Sequence, residues 1–228
     1  MSLAPPASSA LSRAHVLPPD SLEKLWTVAD EMLQQIIDML DQVVQRDDQL
    51  KFESSLIPGS TIGKHLRLLL DACEQAQSKQ DERLFSSSTS SSSTRSDIHL
   101  SYDVRSRNVE SEESCSKALE SFQQLQHRLA KVTSKGKATT LQGDRKVVLN
   151  AVTPFVVTVT SSFARELWFC MLHATHHLAL LRVIVVGELG LELPPTFGTA
   201  PSTLVQRTTR EQQHRMTDES PTKTKSKL

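Results

Sequence analysis

The side chains best able to do chemistry in this chain are three histidines. His173-Ala174-Thr175-His176-His177 lies in an apolar stretch. On an α-helix the step of about 100° per residue puts His173 and His177 about 40° apart, one turn removed on one face. Two imidazoles so spaced can hold one metal ion. Spacing alone is weak, since 8 His in 228 residues produce about 0.3 such pairs by chance. Position adds to it. His173 and His177 share a face with Cys170, Leu180, Leu181 and Ile184, and His65 interrupts the apolar stripe of a different helix. Three neutral imidazoles buried without partners would cost about 1–3 kcal/mol each, a cost that a shared cation removes. Three protein ligands also leave one coordination position open, the pattern of a reactive rather than a structural site. The residues alone leave a second reading open, in which each histidine is a hydrogen-bonded core or boundary side chain.

Several neighbours could join such a site. Cys170, about 60° round the helix from His173, could reach an ion as a thiolate or simply be a buried thiol. Glu166 lies two turns before His173 and leans away from it, so pairing with a neighbouring arginine competes with a role as base. His176 is rotated about 100° from His177 and should border the pocket, whereas Asp71, about 240° round from His65, should not share an ion with it. Tyr102, the only tyrosine, stands with Asp103, Arg105 and Arg107. Tyr102 and Arg105 could hydrogen-bond an anionic substrate, or tie a connecting loop to the helices. Tyr102, Arg105 and Glu166 are thus the weak catalytic candidates. There is no G-x-S-x-G, P-loop or G-x-G-x-x-G pattern to support a serine-hydrolase or nucleotide site.

The elements that position these residues are mostly helical. Asp20-Ser21-Leu22-Glu23 has the form of a capping box. It opens a first helix to about Gln45, with Leu22, Leu25, Trp26, Ala29, Leu33, Ile36, Ile37, Leu40, Val43 and Val44 at three- and four-residue steps. Pro58-Gly59 breaks the chain, and Ser60 can cap a second helix to about Gln77, with Ile62, His65, Leu66, Leu69, Ala72 and Cys73 on one stripe. The helical period then disappears over 78–108, where 86–96 is nearly all Ser and Thr, a solvated insertion. A third helix begins near Ser111 and would bury Cys115, Ala118, Leu119, Phe122, Leu125, Leu129 and Val132. The runs 146–150 (KVVLN) and 156–160 (VVTVT) read as a small β-hairpin or extended arm. Ser161 or Ser162 caps a fourth helix through Phe163, Leu167, Cys170, Ala174, Leu178, Leu181 and Val185 to Gly187. The domain expected from this pattern spans 20–203, between a disordered lead at 1–19 and a disordered tail at 204–228.

Composition narrows the function. The 26 Lys plus Arg balance the 26 Asp plus Glu, which argues against nucleic acid, and 4% aromatic content leaves few platforms for single-stranded bases. No apolar run is read as a membrane span. Residues 1–19 hold no acid and one arginine, Arg13, but their four prolines argue against an amphipathic transit helix. Three widely spaced cysteines without a C-x-x-C pair favour a reducing compartment, and so a cytoplasmic protein.

Residues 57–73 (IPGSTIGKHLRLLLDAC), 102–107 (YDVRSR) and 161–184 (SSFARELWFCMLHATHHLALLRVI) together resemble the DinB/YfiT-like superfamily of helical metalloproteins. The similarity runs in outline from about residue 21 to Ser202, including the closing 197–202 (FGTAPS). The resemblance implies an all-α fold, a four-helix bundle of up-down-down-up order with the hairpin or arm between helices three and four. It implies that His65, His173 and His177 hold a divalent metal, with Zn, Ni, Fe and Mn all suited to imidazole. It departs at Leu68 and Ala72, where relatives often carry further histidines, and in the Ser-rich insertion. The implied function is a metal-dependent enzyme, with catalysis itself unsettled, in which the ion activates a water or thiol for hydrolysis or thiol-dependent transfer on an unknown small substrate. The alternatives are a non-catalytic metal-binding or stress-associated helical scaffold or dimer, and a helical interaction protein with structural histidines. The expected partner is a small molecule, with a homodimer as an option and neither nucleic acid nor membrane.

Overall fold

The protein is described from a computed structural model, which covers residues 21–84, 98–103, 106, 109–134 and 145–218. The N-terminal lead, the cap at Asp20, the Ser-rich stretch 86–96, Arg105, Arg107 and the last ten residues lie outside the described residues. The helices are α1 (Ser21–Gln42), α2 (Asp47–Leu50), α3 (Ile62–Leu84), α4 (Glu110–Glu113), α5 (Cys115–Ser134), α6 (Phe163–Arg182) and α7 (Pro201–Asp218). The strands are β1 (Ile98–Leu100), β2 (Lys146–Ala151) and β3 (Val157–Ser162).

The long helices form where apolar residues recur every three or four positions, and those stripes are what they bury. Leu22, Trp26, Ala29, Leu33, Ile36 and Leu40 of α1 are buried, as are Ala118, Phe122 and Leu125 of α5. Helix α1 packs on α5 and α6, and α3 packs on α6 and α5, around one shared core. Ser162 caps α6, its hydroxyl accepting from the Arg165 N–H at 3.3 Å. Beyond Arg182 the helix widens into a π-helical turn, Val183–Glu188, and Gly190 at φ +66° ends it.

The all-α expectation is corrected, because among the described residues seven α-helices are joined by a three-stranded mixed sheet of order β1-β2-β3. The hairpin β2–β3 is antiparallel, with Val147 opposite Ser161 and Leu149 opposite Val159. Strand β1 runs parallel to β2, with Ile98 opposite Val147 and Leu100 opposite Leu149. A parallel partner is distant in sequence and leaves no turn signature. Three residues inside a polar connector gave no period to detect. Two further differences are local. The third helix is divided at Ser114, which is extended (φ −125°, ψ 120°), into α4 and α5. Helix α7 occupies 201–218, where the composition suggested no structure.

Phe163–Glu188, 26 residues with the π-helical turn, is long and apolar enough to cross a membrane by length and composition. This corrects the expectation that no such run exists. Its most apolar window is 44% buried inside the fold, and it carries the buried polar side chains Glu166 and His177.

Two contacts fix α3 against its surroundings, and so place His65. The Glu188 carboxylate, at the end of the π-helical turn that follows α6, accepts from Ser54 Oγ at 2.5 Å and from Ser55 N and Oγ at 2.7 Å, which holds the chain entering α3. These hydrogen bonds, Ser54 first, lower the Glu188 pKa. In the first turn of α3, a Cβ on Gly63 would lie 1.9 Å from the Glu112 carbonyl oxygen of α4. Beside it Arg67 Nε and Glu112 Oε2 pair at 2.8 Å.

Gly63→Ala should therefore destabilise the fold. Helix propensity favours Ala by roughly 1 kcal/mol, but a backbone clash without a flexible atom to yield costs roughly 1–3 kcal/mol or more. Urea unfolding should show a net loss and a lower midpoint; a midpoint equal to or above that of the parent would mean that α3 and α4 are not in this contact.

Candidate functional site

Helices α3 and α6 bring His65, His173 and His177 together. His65 Nδ1 and His177 Nδ1 are 2.8 Å apart, and His177 Nε2 and His173 Nε2 are 3.1 Å apart. The rings of His173 and His177 meet edge to face at a 4.4 Å centroid separation. His65 and His177 are buried, and His173 is half-buried. Burial lowers the His65 pKa, with a smaller contribution from His176. Burial also pushes His177 down to about 3, helped by the potential charges of His173, His65 and His176. Both rings are therefore neutral at pH 7.

A neutral imidazole has one N–H and one lone pair. His177 can accept at Nδ1 and donate at Nε2, or the reverse, so it links its two neighbours in a line. In either tautomer the far nitrogen of His65, Nε2, stays buried without a hydrogen-bond partner. Such a group costs about 1–3 kcal/mol.

Above this line lies a cavity of about 470 Å³, lined by Leu68, Asp71, Ala72, Tyr102, Asp103, Phe169, His173, His176 and His177. Its aromatic wall is Tyr102 against Phe169 (centroids 5.0 Å) and Phe169 stacked on His173 (5.9 Å). Asp71 accepts from Ser106 N at 3.1 Å. Asp103 accepts from Val152 N at 2.7 Å and from Thr153 Oγ1, tying the hairpin to the cavity rim.

The remaining candidates sit beside the cavity. Glu166 is 1% exposed and accepts from Tyr102 Oη (3.0 Å), Ser161 Oγ (2.5 Å) and Arg165 Nη1 (2.9 Å). Burial first, then the neighbouring Cys170 and Glu166, raises the Tyr102 pKa, so its hydroxyl stays a donor. Cys170 lies 3.6 Å from Tyr102 Oη and donates to the Ala72 carbonyl at 3.7 Å. Burial pushes its thiol up to about 11, which leaves it protonated at neutral pH. The sequence reading passed over Phe169, Leu68 and Asp103 as wall residues. Phe169 was detectable: it lies four residues before His173, on the same helical face.

No protein-family model matches the chain, and no solved structure matches it. A curated relative, "FK506-binding protein 5" of Rhizopus delemar, is 33% identical over 185 residues, covering 76% of this chain and 35% of the relative. The chain thus spans about a third of the length of the relative it matches. These findings correct the assignment to the DinB/YfiT-like superfamily, and with it the metalloenzyme function that the assignment implied. The metal-binding expectation is corrected on geometry as well. Among the described residues no group of three or more His, Cys, Asp or Glu side chains is set to hold a metal ion. The physical reason is the linear arrangement, in which His177 turns one nitrogen to each neighbour instead of all three rings facing one point.

The neutral floor makes stability depend on pH in a defined direction. In the unfolded chain His177 takes up a proton near pH 6.5, whereas in the fold it resists protonation to about pH 3. Its contribution is complete above about pH 6.5 and declines as pH falls toward 3. Denaturant unfolding of the metal-free protein at pH 7.5 and pH 5 should show a larger loss for the parent than for His177→Gln, which has no such proton to take up. Equal losses would show that His177 titrates normally in the fold.

Proposed function

We propose that this chain is a small-ligand-binding domain and that the cavity between α3, α6 and the β1 end is its site. The observation that carries this reading is the floor of that cavity. It holds His173 and His177, and His177, neutral and partly desolvated, is one link in the histidine line that runs back to the buried His65. A binding pocket characteristically combines apolar and aromatic walls with a few convergent polar groups, and here those groups are His173, His177 and the Tyr102 hydroxyl.

His173, His177 and the Tyr102 hydroxyl would orient a bound molecule by hydrogen bonds, and Phe169 would cover one side of it against water.

A thermal-shift screen of small polar and aromatic compounds tests the site. Compounds that stabilise the parent should lose their effect in Phe169→Ala and in His173→Ala. Stabilisation unchanged in both variants would place the binding elsewhere.

A second reading of the ligand is favoured by the similarity to a protein named for FK506 binding. In this reading the wall of Leu68, Tyr102 and Phe169 takes an apolar ligand of that kind. FK506 titrated against intrinsic fluorescence should saturate, and Phe169→Ala should weaken the binding about tenfold. No saturation at the solubility limit of the compound would discard this ligand for the cavity.

A further inference from the structure

We propose that the free edge of β3 pairs with β3 of a second copy of this chain, so that the two sheets join into one sheet of six strands. Strand β3 is terminal in the order β1-β2-β3, and among the described residues no strand lies along its other edge. That edge offers a row of backbone N–H and C=O groups, which natural proteins ordinarily block with charge, proline, bulges or a covering element. Among the described residues none of these devices is found at β3. Its sequence is Val157-Thr158-Val159-Thr160-Ser161-Ser162, β-branched over its first four positions, and residues 147–164 contain no Asp, Glu, Lys, Arg or His.

The absence of charge is what selects a second copy over another occupant. At a two-fold axis the central residue faces its own counterpart and its neighbours lie diagonally across from theirs, so a charge there would meet or lie close to the same charge. A neutral strand has no such penalty. Antiparallel pairing centred on Val159 sets Val159 against Val159 and Thr158 against Thr160, both favourable cross-strand combinations.

The area is of the right order. An interface of standard size takes about 800 Å² from each partner. Phe155 is 74% exposed, and Val152, Val156, Val157 and Val159 are 44–83% exposed. With an aromatic side chain worth about 150–250 Å², these five bring on the order of half that area, and the strand backbone and threonines add to it. The arm is also held in place before pairing, because Asp103 anchors Val152 and Thr153 at its turn. A preorganised strand loses little further freedom on association.

Sedimentation velocity on the full chain, from low-micromolar to several hundred micromolar, reads the association directly. The parent should pass from monomer to dimer, and Thr158→Lys with Thr160→Lys should raise the dissociation constant at least about tenfold while leaving the circular dichroism unchanged. Thr208→Lys on α7 is the control and should not move it. Hydrogen exchange on the parent protein is the independent measure: the β3 amides should lose protection on dilution. A parent that stays monomeric overturns the proposal, including one that instead binds phosphatidylcholine vesicles through the arm. So does a dimer unmoved by the double substitution, or β3 exchange that is independent of concentration.

Discussion

The meeting of His65 on α3 with His177 on α6 is the contact on which the site depends. Two imidazoles 2.8 Å apart in a buried place cannot both be charged, and only one proton can lie between them. The fold holds both rings neutral at pH 7 and oriented, and it does so by burial rather than by a counter-charge. Every structural feature near them serves that placement. Glu188 clamps the chain leading into α3, Gly63 lets α4 close against its first turn, and the core stripes of α3 and α6 bring the two helices into register.

A second polar group is built differently. Glu166 is as deeply buried as the histidines, but three donors surround it: Tyr102, Ser161 and Arg165. A satisfied carboxylate of this kind can stay in the fold without a ligand. The histidine line cannot satisfy all its nitrogens from within the protein, and Nε2 of His65 is the remainder. The cavity opens over His173 and His177, whereas the carboxylate is enclosed by its donors, so the cavity is the place to look for a bound molecule. Cys170 stands between the two groups, protonated and turned to Tyr102 and the Ala72 carbonyl.

Much of the helical framework was legible in the residues, because burying an amphipathic stripe is the same problem in sequence and in space. Leu22 through Leu40 and Ala118 through Leu125 show it plainly. His65 stood out for the same reason, as a polar side chain at an apolar position. What sequence periodicity could not show was β1, three residues whose partner is a parallel strand nearly fifty positions later. Nor could it show the break at Ser114, where the apolar stripe continues across an extended residue. The family resemblance failed in an instructive way. An i, i+4 histidine pair facing inward is a geometric consequence of the α-helix, available to unrelated chains, and the similarity found by comparison leads elsewhere. The same spacing yields a line of nitrogens here, which angular position on a helix does not distinguish from a converging set.

The most direct test is a nitrogen-detected NMR titration of the histidine rings in the metal-free protein. The account predicts that His177 stays a single neutral tautomer from pH 7.5 to pH 5, with one ring nitrogen protonated and the other an acceptor. A His177 ring that takes up its second proton near pH 6.5 would contradict it, for burial would then not be holding the ring neutral.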